Sequence, residues 1–418
     1  MELYYSFSVL IVLTAIFSYV NERFLKLPPT IGIMLMAMVV SVALVITGNI
    51  FPNLFDSFSR FIANLDFTEI LMGAMLNFLL FAGAIHVRLK DLREQRAPII
   101  VFSTISVIIS TLLVGALTYF LLPFFRLNVP LIQCLVFGAL ISPTDPIAVL
   151  GILKKAGVRK SLETKVAGES LFNDGVAVVV FVVLLQLAQG SDVDLSFGNI
   201  SWLLIKEALG GFGMGLLIGY VGSKAMQKID SANVSALITL AVVMGGYLVA
   251  RAMHISGPLT MVAAGLVVGN FGKATRISVN TRDYLDKFWE LIDEIMNAIL
   301  FLIIGFELLL IPHIMNYWLV GIISIAVVLF ARFISIWVPT LLIPFDTKFD
   351  RRTITILVWG GLRGGVSVAL ALSIDEDLNK NLFLSITYFI VVFSVMVQGL
   401  TVGKLTQMKK PLETSAAR

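Results

Sequence analysis

Cysteine is nearly absent from this 418-residue chain. Its single cysteine, Cys134, lies inside an apolar stretch, which excludes a disulfide framework and a thiolate metal site. Charge is scarce as well. Asp, Glu, Lys and Arg make up 14% of the residues against 58% that are hydrophobic, and mean hydropathy is +0.94. So little charge cannot cover the surface of a soluble domain of this length. No G-x-x-x-x-G-K-[ST] sequence occurs, so an ATP-driven pump lacks its phosphate loop, and no H-E-x-x-H occurs to hold a catalytic zinc. The first apolar run, MELYYSFSVLIVLTAIFSYV, has no basic residues ahead of it and no small-residue cleavage site; Arg23 and Lys26 come after it. It reads as a retained span rather than a cleaved leader. The net charge of +4 comes from short basic clusters between apolar segments, which is the pattern of cytoplasmic loops and not of a nucleic-acid surface.

What the chain has in abundance is apolar sequence in runs long enough to cross a bilayer. They lie near 3–20, 28–47, 68–86, 97–122, 129–153, 166–188, 200–223, 233–253, 257–271, 288–311, 315–343, 353–374 and 382–403. The expectation is an all-α polytopic membrane protein with thirteen transmembrane helices. With the N-terminus outside, the outer loops receive only Arg60, Arg126, Arg251 and Lys380, with Lys206 near a boundary. The inner side receives the clusters Arg23 to Lys26, Arg88 to Arg96, Lys154 to Lys165, Lys224 to Lys228, Lys273 to Lys287 and Lys348 to Arg352, and the tail Lys404, Lys409, Lys410 and Arg418. A miscounted helix would scramble that bias, so the C-terminus is expected on the cytoplasmic side.

Two spans carry helix breakers at their middles. Span five, FGALISPTDPIAVLGIL, places Pro143 and Pro146 around Thr144 and Asp145; span twelve, VWGGLRGGVSVAL, places Gly360, Gly361, Gly364 and Gly365 around Arg363. They are seven spans apart, so the two broken segments run in opposite directions. This predicts inverted-topology repeats, spans 1–6 and 8–13, joined by span 7 as a linker helix, in a single membrane domain over 1–418 with a short cytoplasmic tail from about 404 to 418. Discontinuous helices at corresponding positions of two halves point to a substrate site near the bilayer midplane. Their freed carbonyls and amides must face protein or water.

Charges inside spans are the anomalies to explain. The run ESLFND, 169–174, puts Glu169, Asn173 and Asp174 into a helix otherwise ready for lipid, where an acid costs roughly 3 kcal/mol even on the most lenient scale. On a helix Ser170 and Asp174 share one face, and Glu169 and Asn173 share another about 100 degrees away. The first face suits Asp145 of the broken segment, and the second suits a cation such as Arg332. A buried Arg keeps its proton and requires an acid, so Glu169 with Arg332 is the economical pair, in a structural role. Arg363 sits amid glycines, placed either to cap breakpoint carbonyls or to line a cytoplasmic funnel. His86, His254 and His313 lie near span ends and read as interfacial. Gly211, Gly215 and Gly219 follow the small-xxx-small spacing of close helix packing.

Two acids, an Asn, a Ser and unwound carbonyls are hard oxygen ligands, suited to Na⁺, Li⁺ or H⁺ rather than a soft metal. Burial and a second acid favour the protonated carboxyl at Asp174, whereas an arriving cation favours the ionised one. Cation and proton therefore compete for one group. If the site opens to one side at a time, that competition alone yields exchange, with no cofactor beyond the transported ions.

The stretch SPTDPIAVLGILKKAGVRKSLETKVAGESLFNDGVAVVVF, together with WGGLRGGVSVALALS, resembles the monovalent cation/proton antiporters of the sodium/proton exchanger type, prokaryotic branch. The resemblance covers essentially the whole membrane domain. It implies a dimer in the cell inner membrane, acting in pH homeostasis. Each copy would have a dimerisation domain and a mobile core crossed by two broken helices. It also implies that Asp174 carries the ion and the proton, with Asp145 as the second acid for transported Na⁺ and with Asn173, Ser170 and the Thr144 carbonyl around it. Glu169 and Arg332 match the family's core ion pair, and an Asn173–Asp174 pair in place of two acids marks the branch that resembles electroneutral exchangers. One departure stands out: where several relatives have an acid at the end of span three, this chain reads FAGAIHVRL, with His86 near that place. Two rival classes fit less well. A sodium-coupled solute symporter, like a K⁺/H⁺ exchanger, would share the hard ligands, but nothing nominates an organic-substrate pocket. An intramembrane aspartyl protease would need a G-x-G-D motif at Asp145 or Asp174, and neither has one.

Overall fold

The computed structural model describes residues 2–47, 73, 75–145, 149–150, 153, 158, 160–190, 197–229, 231–274, 278–309, 311, 314–345 and 349–407. Of the residues singled out above, Arg60, Pro146, Lys154, Lys155, Arg159, Arg276, His313, Lys348, Lys409, Lys410 and Arg418 lie outside them, as do most of 68–74 and part of 146–159.

The described chain is helical, and its one β-bridge is an antiparallel pairing of Asp145 with Leu362. Helices α1 (Glu2–Val20), α2 (Pro29–Thr47), α3 (Leu76–Ile85), α4 (Arg96–Leu121) and α5 (Leu131–Leu140) lead to the first break. Then come α6 (Lys160–Ala188), α7 (Phe197–Met226), α8 (Ala232–Ala252), α9 (Gly257–Ala274), α10 (Val279–Glu307) and α11 (Trp318–Leu342). The second break separates α12 (Arg351–Trp359) from α13 (Gly365–Leu372), and α14 (Lys380–Phe393) and α15 (Gly399–Gln407) close the chain. Among the described residues, eight helical stretches are long and apolar enough to cross a membrane, accompanied by shorter apolar ones at Leu76–Ile85, Leu131–Leu140 and Gly257–Phe271. Large apolar side chains such as Ile46, Phe120, Leu237 and Leu248 face outward, whereas many Ser and Thr and charged groups such as Glu169, Arg332 and Arg363 are packed inside. That inversion marks a multi-pass membrane protein, whose helices meet lipid with their apolar faces.

Local chemistry sets the helix ends. Proline at the first position of α2 forfeits only an amide that has no helical acceptor. Ser278 caps α10 by accepting from the Thr281 amide at 3.2 Å, and Asp350 caps α12 by accepting from the Thr353 amide at 2.9 Å. The Ser278 cap starts α10 nine residues ahead of the apolar window at 288–311, so its first half is an acidic helix and only its second half is apolar. Likewise α6 begins at Lys160, inside what reads as a loop, and Lys165 is buried with its ammonium 4.4 Å from the Phe349 ring. The break after α5 follows from Pro143, which lacks a donor and disfavours helix in the residue before it.

Glycine spacing draws α7 against α9. A Cβ at Gly211, Gly215 or Gly219 would fall 2.5, 2.2 or 2.9 Å from the backbone at Ser256, Thr260 or Ala264. The Thr260 hydroxyl donates across this seam to the Gly211 carbonyl at 3.0 Å. These glycines are packing residues, as their spacing predicts.

Candidate functional site

The two breaks meet in the interior. The Asp145 amide donates to the Leu362 carbonyl at 2.8 Å, so the irregular backbones satisfy each other instead of facing lipid. Arg363, only 2% exposed, projects from the second break to the first. Its Nη1 donates to the Pro143 carbonyl at 2.9 Å and also to the Ser142 carbonyl. Of the two placements open to it from sequence, Arg363 takes the capping one, and the carbonyls it caps belong to the other broken segment. Its own amide donates to the Ser394 hydroxyl at 2.8 Å, which donates to Gln398 Oε1 at 2.8 Å, and Gln398 Nε2 donates to the Trp359 carbonyl at 3.0 Å. Ser394 to Gln398 form a π-helical turn between α14 and α15. The extra residue in that turn brings both polar groups round to the second break.

Glycines admit the charged groups. A Cβ at Gly364 would sit 2.6 Å from Asp145 Oδ2, and one at Gly361 would sit 2.6 Å from Arg332 Nε. No other side chain leaves room for both.

Helix α6 brings the four polar residues of its ESLFND run to three neighbours. Glu169 Oε1 lies 2.6 Å from Arg332 Nη2 on α11, which also donates to the Leu357 carbonyl at 3.1 Å. One turn on, Asn173 Nδ2 donates to the Thr144 hydroxyl at 2.7 Å, and its Oδ1 accepts from the Thr144 amide at 3.5 Å. The Thr144 hydroxyl lies 3.1 Å from that of Ser170. Asn173 is fully buried and turned to the broken segment, whereas Ser170 and Asp174 line a cavity of about 1200 Å³. Asp145 and Pro143 line the same cavity. Asp174 is 8% exposed, and its Oδ1 has no hydrogen-bond partner among the described residues. A buried carboxylate oxygen left without a donor has a place for a proton or a cation.

Arg88, Asp91, Lys160 and Glu163 line the same cavity, with Lys160 3.3 Å from Asp91. His86 lines it too, half exposed and 3.9 Å from Asp286. Sequence reasoning overlooked the opposite wall, where Asp293 and Asn297 of α10 face the cavity. Their charged neighbours at the start of α10 look like the edge of a span, which hides them. It also overlooked Ser142, Ser394 and Gln398, which are small or neutral and cost too little in a span to stand out.

Two discontinuous helices crossed inside an apolar bundle, with carboxylates at the crossing and a cavity that reaches them, are the architecture of a secondary transporter. The chain belongs to the sodium/hydrogen exchanger family, whose transmembrane domain pattern matches residues 9–407. The resemblance carried by SPTDP and ESLFNDG is thus borne out. The chain is 46% identical over 417 residues to the Na⁺/H⁺ antiporter NhaP of Pseudomonas aeruginosa, covering 97% of each. It is 34% identical over 372 residues to the Na⁺/H⁺ antiporter NhaH of Halobacillus aidingensis, covering 86% of this chain and 89% of that protein. Its fold matches that of the sodium proton antiporter MjNhaP1 from Methanocaldococcus jannaschii, solved at pH 8, with a TM-score of 0.76 over 98% of this chain and 99% of that one, at 21% identity.

Proposed function

We propose that this chain is a secondary antiporter that exchanges Na⁺, or Li⁺, for H⁺ across the membrane, with cation and proton competing for Asp174. The observation that carries the reading is the partnerless Asp174 Oδ1 at the inner end of the cavity, with Ser170 and Asp145 lining the same wall. The family and the names of the P. aeruginosa and H. aidingensis relatives support the same pair of ions.

The residues divide the work. Asp174 carries the proton or the cation, and Ser170 and Asp145 supply further hard oxygen ligands from the cavity side. Asn173 does not face the cavity; it holds Thr144, and so fixes the turn that presents Asp145 and the nearby carbonyls. The positive end of α13 adjoins Asp145 through Gly364 and compensates its charge. Arg363 and the Glu169–Arg332 pair hold fixed charges and bind the crossing together. When Na⁺ is bound at Asp174 no proton is, and the reverse, so the loaded forms differ in cargo and not in charge. The exchange is one for one and electroneutral.

The helix order supports thirteen spans in an inverted repeat: six precede α7, six follow it, and the breaks fall in the fifth and the twelfth. The cavity mouth carries Arg88, Asp91 and Lys160, from the loops that the Lys/Arg distribution assigns to the cytoplasm. We read this as the inward-open state of a single membrane domain with its N-terminus outside, in the cell inner membrane. A homodimer of such domains, requiring no cofactor, is the working unit. The test is dissipation of an imposed pH gradient in everted membrane vesicles on adding Na⁺, Li⁺ and K⁺ in turn. Dequenching by Na⁺ and Li⁺ is expected. A response to K⁺ alone would make the chain a potassium/proton exchanger, and no response to any of them would overturn the reading.

A further inference from the structure

The cavity has a second polar wall, which the exchange scheme leaves without a role. In α10, Glu290, Asp293, Glu294 and Asn297 recur at i, i+3, i+4 and i+7, and all four line the cavity that ends at Asp145 and Asp174. None of the three acids is paired with a Lys or Arg among the described residues. Asp293 and Asp145 line one cavity, where two like charges repel. Asn297 is the innermost of the four, 2% exposed. Its Nδ2 donates to the Asp293 carbonyl at 2.8 Å, and because a carbonyl can only accept, that bond fixes which end of the amide is which. Oδ1 is left buried, with no partner among the described residues. A fully buried amide oxygen in that condition is unfavourable unless a ligand occupies it.

We infer that Asp293 and Asn297 form a staging site for a partly hydrated monovalent cation, occupied from the cytoplasmic side before the ion reaches Asp174. The inference rests on the antiport reading above and adds a site to it. The ligands offered are a carboxylate and an amide oxygen, hard donors of the kind that Na⁺ and Li⁺ take. They are too few to strip an ion of its water or to hold a divalent metal, which takes six to eight oxygens in the case of calcium. Among the described residues no cluster of three or more His, Cys, Asp or Glu could hold a metal ion. Glu290 and Glu294, both exposed, flank Asp293 along the same wall and concentrate cations there. A cation resting at Asp293 also relieves its repulsion with Asp145, and so is drawn inward along a graded path.

Everted vesicles present the cytoplasmic face, and hence this cavity, to added Na⁺. The readout is the Na⁺ concentration that gives half-maximal dequenching at fixed pH. Asp293→Asn and Asn297→Ala are each expected to raise it roughly three- to tenfold, the low end of what a charged cleft contributes to local ion concentration. Asp283→Asn removes the same charge from an exposed position of the same helix that does not line the cavity, and leaves the value in place. Asn297→Asp adds a charged ligand and lowers it, which gives a reading even if the other variants accumulate poorly. An unshifted value in these variants overturns the staging site, as does an equal shift in Asp283→Asn or a loss of maximal rate at unchanged half-saturation. Asp174→Asn in the same vesicles reports on antiport itself: exchange surviving there defeats the antiport reading whatever the α10 variants do.

Discussion

The Asp145 amide and the Leu362 carbonyl meet at 2.8 Å where the two broken helices cross. Each segment has lost helical hydrogen bonds, and this one bond lets a donor of the first meet an acceptor of the second. Together with Arg363 on the Pro143 carbonyl, this makes the crossing one polar unit inside an apolar bundle.

Gly364 packs directly on Asp145: a Cβ there would lie 2.6 Å from Asp145 Oδ2 and 2.7 Å from Asp145 Cβ. Gly364→Ala therefore has to push Asp145 aside, an overpacking that costs about 1–3 kcal/mol. We expect a folded protein with its initial exchange rate reduced at least several-fold. A wild-type rate would mean that Asp145 need not hold this position.

Arg363 supplies donors to two backbone carbonyls at the break, those of Ser142 and Pro143. Arg363→Met leaves them buried and unsatisfied, at about 1–3 kcal/mol each. Arg363→Lys keeps the charge but loses the planar fork, and should fall between. Melting in detergent is expected in the order wild type, Lys, Met. Equal melting of Met and wild type would remove Arg363 from the capping role.

The Glu169–Arg332 contact of 2.6 Å is a buried pair, and removing either partner strands the other's charge. Such a break costs roughly 3–5 kcal/mol. Glu169→Gln and Arg332→Ala should each lower the melting temperature clearly, with loss of transport following from instability. If neither variant melts earlier, the pair carries no structural load.

These sites differ in how far the sequence discloses them. The ESLFND run was readable because helical spacing fixes directions: Glu169 and Asn173 on one face, Ser170 and Asp174 on another. The expense of charge in a span then requires a partner for Glu169, and Arg332 was the economical choice. Asn173 is the exception, since it meets Thr144 and not a cation. Arg363 could be flagged but not assigned, because its acceptors are backbone carbonyls about 220 residues earlier, and carbonyls leave no mark in a sequence. The π-turn at Ser394–Gln398 has no signature either, as inserting one residue into a helix leaves the apolar pattern almost unchanged. Asp293 and Asn297 fall inside the apolar window at 288–311, but beside Glu290 and Glu294 near its start, where charges read as the edge of a span.

Electroneutrality follows from counting charges that change. In the proposed scheme only Asp174 exchanges its proton, so a membrane potential, worth about 2.3 kcal/mol per charge per 100 mV, finds nothing to act on. In proteoliposomes clamped with K⁺ and valinomycin the exchange rate should be independent of the imposed potential. A systematic dependence would make Asp145 a second proton carrier, coupled to Asp174 across the same cavity.

The competition of cation and proton for a single carboxylate is tested most directly by Asp174→Asn, which keeps the side chain's shape and removes its titratable charge. The measurement is Na⁺-driven dequenching in everted vesicles, with the variant shown to be folded by its elution and melting in detergent. The account predicts complete loss of exchange at every Na⁺ concentration and pH tried. Exchange at the wild-type rate would contradict it.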